Sequence, residues 1–229
     1  LAGVGGIDMV LLVIAADESI KPQTREHIDI CRLLRIPAGV IALTKCDLVD
    51  PEVLELVQLE VQEFVAGTFL ENAPVVPVSS VSGAGVTNLR EALRRIAGAV
   101  QVKDARRIFR MPVDRSFSMT GFGTVVTGTV LSGSVTVDEE LQAYPSDSIF
   151  RLRGVEVHGA SQRRAQAGQR AALNLAGDHP DRLARGCVLA SAGLFVPTNV
   201  VDCWLDVLPS AAPIKNGVPV HFHAGTAEI

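Results

Sequence analysis

Residues 40–47 read Val-Ile-Ala-Leu-Thr-Lys-Cys-Asp, and this stretch decides how the rest of the chain is interpreted. Four apolar residues followed by a polar turn are typical of a buried parallel strand that ends in a loop. In open α/β sheets, ligands bind at the carboxyl ends of the strands. The stretch therefore predicts a ligand-binding loop over residues 44–47.

The polar residues of this loop suit a guanine base. A carboxylate such as that of Asp47 accepts two parallel hydrogen bonds, and guanine presents a matching pair of donors at N1 and N2. The alkyl stem of Lys45 can lie over a flat base, and Thr44 takes the first position of the tetrapeptide Thr-Lys-x-Asp. The alternative is a loop with two solvated charges, since such a tetrapeptide arises by chance at about one in several thousand positions. The surrounding sequence has to decide between the two.

A second loop follows at the spacing of one strand and one helix. Residues 74–78 read Pro-Val-Val-Pro-Val and run into a turn rich in Ser and Gly over residues 79–85. Backbone N–H groups of such a loop can donate to O6, the atom that separates guanine from adenine. Alone, the turn is ordinary; paired with residues 44–47, it predicts a guanine site. Its candidate residues are Thr44, Lys45, Asp47, Ser79, Ser80 and Val81.

Composition and length indicate a globular protein. The chain has 229 residues, of which 48% are hydrophobic and 20% charged. The longest apolar run, residues 9–16, is too short to span a bilayer. Four scattered cysteines without a Cys-x-x-Cys pair favour reduced thiols in the cytoplasm over a disulfide framework or a zinc site. Because the chain opens at Leu1 in the middle of a pattern, we expect it to be a fragment.

Charge is distributed unevenly along the chain. Residues 1–101 hold 8 basic and 13 acidic residues, a net charge of −5, whereas residues 102–195 hold 12 basic and 9 acidic residues, a net charge of +3. An acidic part beside a basic part hints that the middle segment meets a polyanion. The excess is small, and ordinary solvated surface is the alternative.

Strands and helices alternate through residues 1–102, which predicts part of a parallel α/β domain. Pro51 suits the first turn of a helix capped by Asp50, and Thr87 or Asn88 is predicted to cap a later helix. The predicted strands are residues 7–16, 40–43 and 75–78, and the predicted helices are residues 23–34, 52–66 and 89–100.

From residue 103 onward, short runs of period two alternate with glycine turns, which predicts a small closed β-barrel over residues 103–195. Its predicted strands are residues 109–113, 123–130, 140–143, 150–157, 170–175 and 187–190. Two more strands are predicted at residues 200–208 and 218–223. Residues 196–229 are too few for a stable domain, so we expect them to begin a second barrel.

Several motifs resemble those of the translational GTPases of the elongation factor Tu superfamily. They are Pro-Gln-Thr-Arg-Glu-His at 22–27, Gly-Phe-Gly-Thr-Val-Val-Thr-Gly at 121–128 and Arg-Gly at 185–186. Within it, the chain resembles selenocysteine-specific elongation factors at residues 1–8, at Thr44 in place of the usual Asn, and in the runs 167–177 and 221–228. The resemblance covers the whole chain.

The resemblance implies a monomeric protein that binds GTP and GDP with Mg²⁺ and delivers selenocysteyl-tRNA to the ribosome. It also implies that the P-loop, both switches and the Mg²⁺ ligands lie upstream of Leu1. A winged-helix region that binds the selenocysteine-insertion mRNA hairpin would lie further along the parent chain. Since phosphate and Mg²⁺ ligands carry this chemistry, we expect no catalytic residue here and no GTP hydrolysis by this chain alone.

The resemblance further implies an aminoacyl pocket formed by Asp114, Arg115 and Arg185. Selenocysteine is anionic at neutral pH, whereas serine, its biosynthetic precursor, is neutral, so a cationic pocket can separate the two. Asp114 could orient an arginine without cancelling the charge of the pocket. The alternative is that these are surface charges that contribute little.

Two other functions remain open at this point. A general elongation factor Tu-like or initiation-type GTPase would share residues 44–47 but should lack the run 221–228. A non-enzymatic RNA-binding barrel with a degenerate α/β domain is disfavoured by the intact Asp47 and Ser79-Ser80. His221 and His223 share one face of a predicted strand, but without a third ligand nearby we predict no metal site.

Overall fold

The computed structural model describes residues 6–18, 20–119, 123–177, 180–208 and 211–229. The motif residues 1–5 and Gly121 and Phe122 lie outside the described residues. The chain divides into two compact units, built mainly from residues 7–101 and from residues 102–205. The domain boundaries at 102/103 and 195/196 stay predictions. In the part of the chain that is described, no helix has the length and apolar character needed to cross a membrane.

The first unit is a three-stranded parallel sheet with helices, as the sequence predicts. Its strands are β1 (Val10–Ala15), β2 (Gly39–Thr44) and β3 (Val75–Pro77), and its helices are α1 (Pro22–Leu33), α2 (Pro51–Val65) and α3 (Val86–Ala99). The strands run in the order β1-β2-β3 across the sheet.

Strand β2 is the buried centre of this sheet. Residues 40–43 are each at most 1% exposed. Ile41 and Leu43 pack in a cluster with α1 and α2, whereas Val40 and Ala42 pack in a second cluster with Ala92 of α3. Burial on both faces explains why the strand is an unbroken apolar run instead of an alternating one.

The start of α3 differs from the prediction. Helix α3 begins at Val86 with Gly85 at its N-cap, so the predicted cap at Thr87 or Asn88 is wrong. Gly85 has φ +72°, and a Cβ there would lie 1.9 Å from the Pro77 carbonyl oxygen. The turn therefore needs glycine before the helix, and this glycine fixes the helix start. Asp50 does precede α2, but its side chain makes no capping hydrogen bond.

The second unit contains a closed six-stranded antiparallel barrel, which confirms the predicted fold class. The six strands are β4 (Arg110–Met119), β5 (Gly123–Thr129), β7 (Glu140–Tyr144), β8 (Ser148–Val157), β11 (Arg170–Ala176) and β12 (Val188–Ser191). The ring order is β11-β5-β4-β12-β7-β8, and β8 pairs back to β11. Three short strands accompany them, β6 (Ser134–Thr136), β9 (Ala160–Gln162) and β10 (Arg164–Gln166).

The two strands predicted after the barrel are wrong over most of their length. Residues 200–208 are irregular, and only His223 of the run 218–223 lies in a strand, within the hairpin of β13 (His223–Ala224) and β14 (Ala227–Glu228). An apolar run becomes a strand only when partners cover it, and Trp204 here is 100% exposed. The hairpin turn is nevertheless anchored, because the Thr226 hydroxyl donates to the Val113 carbonyl at 2.7 Å.

Candidate functional site

The loops that follow β1, β2 and β3 meet at one edge of the sheet. The parallel register pairs Ala15 with Thr44 and Leu43 with Pro77, so the three strands end side by side. The Cys46 amide donates to the Val78 carbonyl at 3.3 Å, which joins the second loop to the third. The two predicted halves of the guanine site are therefore adjacent.

Three of the four residues 44–47 form hydrogen bonds with neighbouring strands or loops. The Thr44 hydroxyl donates to the Ile14 carbonyl at 3.3 Å, the Lys45 ammonium reaches the loop after β1, and the Cys46 amide bonds to Val78. Asp47 is exposed, and none of the described residues donates a hydrogen bond to its carboxylate. Its position thus leaves both carboxylate oxygens free to accept from a ligand.

Lys45 combines an unusual backbone with a defined side chain. Its φ of 58° and ψ of 31° lie in the left-handed region, which costs a residue with a Cβ about 1–2 kcal/mol. Its Nζ donates to Asp17 Oδ2 at 2.9 Å and to Glu18 Oε1 at 3.2 Å. These bonds raise the pKa of Lys45, while bonds from Lys21 and Lys45 lower the pKa of Glu18. Lys45 and Glu18 are therefore both charged at neutral pH.

The residues of the third loop have separate roles. Ser79 is fully buried, and its hydroxyl oxygen accepts hydrogen bonds from the Val81 and Ser82 amides at 3.2 and 3.1 Å. Ser79 therefore shapes the loop from inside. The Ser80 amide has no partner among the described residues, whereas the Val81 amide is engaged and its side chain is exposed. Of the three candidates, Ser80 presents the available donor.

In the barrel, the predicted pocket residues do not all meet. Asp114 lies at a bulge of β4, and its Oδ2 accepts from Nη1 of Arg170, on β11, at 2.5 Å. The Asp114 side chain is 13% exposed and that of Arg170 is 53% exposed. Arg115 is exposed on β4 opposite Thr127. Arg185 lies in the turn before β12 and makes no described contact with Asp114.

The sequence did not single out Arg170, which the structure places beside Asp114. It belongs to the run 167–177 that carries part of the resemblance, but only the strand order β4-β5-β11 brings it to Asp114. Beside it is a cleft of about 230 Å³ on the outer barrel face, near the unpartnered buried oxygen atoms of Thr127 and Asn174. The cleft is lined by Thr127, Glu156, His158, Gly159, Arg170, Ala171 and Ala172.

His221 and His223 do not form a metal centre with other residues that the structure describes. Nδ1 of His221 lies 3.0 Å from Glu228 Oε1 across the β13–β14 hairpin, and both side chains are exposed. No group of three or more potential metal-ligating side chains occurs within the described ranges. His221 therefore forms a polar contact of the hairpin, whereas His223 takes part through its strand backbone.

Two protein-family models match the chain. The elongation factor Tu GTP binding domain matches residues 1–98, and elongation factor Tu domain 2 matches residues 123–190. Together these matches cover most of the chain. The first contains the parallel sheet, and the second runs from β5 into β12 of the barrel.

Curated relatives are similar over the whole chain. The selenocysteine-specific elongation factor of Desulfomicrobium baculatum is 48% identical over 230 residues, which span 100% of this chain and 36% of that protein. The protein of the same name from Escherichia coli K12 is 34% identical over 230 residues and is covered to 37%. The chain thus spans little more than a third of the length of these relatives.

Solved structures agree in fold. Elongation factor SelB from Methanococcus maripaludis in its apo form has a TM-score of 0.76 and 30% identity, over 83% of this chain and 42% of that one. A bacterial selenocysteine-specific elongation factor EF-Sec has a TM-score of 0.77 and 30% identity, over 83% of this chain and 32% of that one.

Proposed function

Because the chain belongs to the elongation factor Tu superfamily of translational GTPases, we propose that it reads the guanine base of GTP and GDP within a selenocysteine-specific elongation factor. The whole protein hydrolyses GTP and delivers selenocysteyl-tRNA to the ribosome. It acts in the cytoplasm as a monomer, with Mg²⁺ held by residues outside this chain. The selenocysteine-insertion mRNA hairpin binds to a further region of the parent protein.

One observation carries the proposal for the base. Residues 44–46 form hydrogen bonds with neighbouring strands or loops. At the same sheet edge, the Asp47 carboxylate and the Ser80 amide have no partner among the described residues. A double acceptor beside a single donor matches guanine, which donates from N1 and N2 and accepts at O6. Thr44 supports the second loop and Ser79 the third, Lys45 lies under the base, and Val81 completes the third loop.

The test is a change of base preference. In the full-length protein, Asp47→Asn should weaken GTP binding and improve binding of xanthosine triphosphate, because xanthine presents a carbonyl at C2 where guanine presents an amine. Asp50→Asn is the matched control, since Asp50 is a nearby exposed carboxylate without a capping hydrogen bond. If Asp47→Asn keeps the wild-type preference for GTP, the assignment of the guanine site is wrong.

For the barrel, we propose an aminoacyl pocket whose residues come partly from the resemblance and partly from the geometry. Asp114, Arg115 and Arg185 are the pocket residues proposed from the resemblance, and Arg170 is added because it bonds to Asp114. Arg170 and Arg115 supply positive charge for an anionic selenolate, while Asp114 orients Arg170. The partly buried position of Asp114 makes this pair less screened than an ordinary surface ion pair.

Binding of selenocysteyl-tRNA and seryl-tRNA by full-length variants tests this pocket. Arg115→Ala, Arg170→Ala and Arg185→Ala should each be compared with Arg151→Ala, which removes an exposed arginine paired with Asp138 on the same barrel. We expect selective loss of the selenocysteyl complex for pocket arginines and no loss for Arg151→Ala. If all of the variants still discriminate fully between selenocysteyl-tRNA and seryl-tRNA, the pocket assignment is wrong and the selectivity lies in the tRNA body.

A general elongation factor remains the competing function. It would bind ordinary elongator aminoacyl-tRNAs as tightly as selenocysteyl-tRNA. The relatives found at 34–48% identity over the full chain favour the specialised factor. Measuring both classes of tRNA in the same assay separates the two functions.

A further inference from the structure

Two carboxylates of the loop after β1 hold the ammonium group of Lys45. Asp17 Oδ2 lies 2.9 Å and Glu18 Oε1 lies 3.2 Å from Lys45 Nζ. The side chains are 30%, 43% and 42% exposed for Asp17, Glu18 and Lys45, so the cluster is neither buried nor fully solvated. Glu18 also pairs with Lys21, which holds this carboxylate from its other side.

The bonds bridge two loops that the sheet register brings together. Asp17 and Glu18 follow β1, Lys45 follows β2, and the last residues of the two strands, Ala15 and Thr44, are partners. The Ala16 amide donates to the Thr44 carbonyl at 2.8 Å. This backbone bond comes one residue before the side-chain bonds of Lys45 to Asp17 and Glu18. The ammonium end of Lys45 is therefore fixed to an element other than its own loop.

A fixed ammonium matters because a free lysine stem has many rotamers. Ordering such a stem when a base binds costs conformational entropy, and this cost weakens the binding. A stem that is already held at both ends, by the backbone and by the ion pairs, presents a flat alkyl surface before the ligand arrives. The left-handed backbone of Lys45 limits the direction of the stem still further.

We propose that Asp17 and Glu18 are positioning residues for guanine-nucleotide binding, which act by holding Lys45 as a preformed platform for the base. This inference rests on the proposed guanine site. Asp17 and Glu18 contact the ammonium group and act on the nucleotide through Lys45. Their loss therefore shortens the lifetime of the bound nucleotide without changing which base is preferred.

The experiment measures GDP affinity and GDP dissociation rate for the full-length protein carrying Asp17→Asn, Glu18→Gln or both. Pairs of this exposure have modest energies, so each single change should raise the Kd about two- to five-fold, and the double change should raise it more than either alone. Glu26→Gln is the matched control, because it removes an exposed carboxylate from α1 that has no described contact with Lys45. It should keep the wild-type Kd.

Two further measurements separate positioning from a general effect on folding. In a Lys45→Met background, which keeps an unbranched stem without the ammonium, Asp17→Asn and Glu18→Gln should have no further effect on the Kd. Raising the salt from about 0.05 to about 0.5 M should accelerate GDP dissociation more in the wild type than in the double variant, since salt screens exposed pairs.

The inference is overturned if the two carboxylate variants keep the wild-type Kd and dissociation rate. It is also overturned if their effects persist in full beside Lys45→Met, or if wild type and double variant share one salt dependence. Base preference reports separately on the guanine site. If Asp47→Asn changes the preference while Asp17 and Glu18 variants do not weaken GDP binding, the site stands and only the positioning role fails.

Discussion

Two glycines of the third loop offer a paired test of how the loop is built. Gly83 and Gly85 have nearly the same left-handed backbone, with φ of +79° and +72°. Around Gly83 an added Cβ meets nothing within 4 Å, whereas at Gly85 it would lie 1.9 Å from the Pro77 carbonyl oxygen. Alanine at both positions therefore shares the backbone strain but differs in steric overlap.

The expected magnitudes follow from these two contributions. An alanine in the left-handed region costs about 1–2 kcal/mol, which is the whole expected loss for Gly83→Ala. At Gly85 the neighbouring strand must also move back by about 1 Å, and such overpacking costs a further ~1–3 kcal/mol. Gly85→Ala should thus lower the free energy of unfolding by about 2–5 kcal/mol in total.

Urea unfolding followed by far-UV ellipticity measures this difference. The three described α-helices all belong to the unit with the parallel sheet, so the helical signal reports mainly on that unit. If the two variants lose the same stability to within about 0.5 kcal/mol, the overlap with Pro77 is not real and the account of the loop is refuted. In the full-length protein, Gly85→Ala should also weaken GDP binding, because the Ser80 amide is displaced.

Further predictions concern the barrel and the chain as a whole. Burial raises the pKa of the Cys187 thiol from its usual 9.0 to about 11, so this thiol stabilises the fold below pH 9 and loses that contribution as the pH rises through 11. Unfolding midpoints of wild type and Cys187→Ala should therefore converge over this range, and a constant difference would contradict the assignment. Disulfide-exchange reagents should label exposed Cys203 in the native protein and reach buried Cys187 only after unfolding. The purified 229-residue chain, which contains no Gly-x-x-x-x-Gly-Lys-Ser/Thr sequence, should not hydrolyse GTP above a contaminant control.

The sequence predicted the parallel sheet and the meeting of its loops well, because both follow from general rules. An unbroken apolar run such as residues 40–43 has few alternatives to a strand buried on both faces, and parallel strands necessarily end on one side of the sheet. The ion pairs of Lys45 with Asp17 and Glu18 were not predictable in the same way. It depends on the register of Ala15 against Thr44, which no local pattern specifies.

The barrel shows more clearly what the sequence alone does not determine. Alternation and glycine turns located the strands, but not their order around the ring. Arg170 meets Asp114 across β5, whereas Arg185, which is closer to β4 through the β12 pairing, makes no described contact with that carboxylate. The strands predicted beyond residue 196 failed for a related reason, since periodicity records what a segment can pair with and not whether a partner is present.

The hydrogen bond from the Cys46 amide to the Val78 carbonyl has a practical consequence. This amide can exchange its proton with solvent only when the two base-reading loops separate, so its exchange rate reports directly on their opening. Protection of Cys46 that is already present before nucleotide is added would mark a recognition surface assembled in advance. Protection that grows on addition of GDP would mark loops that close around the base, and one amide thus distinguishes the two binding pathways.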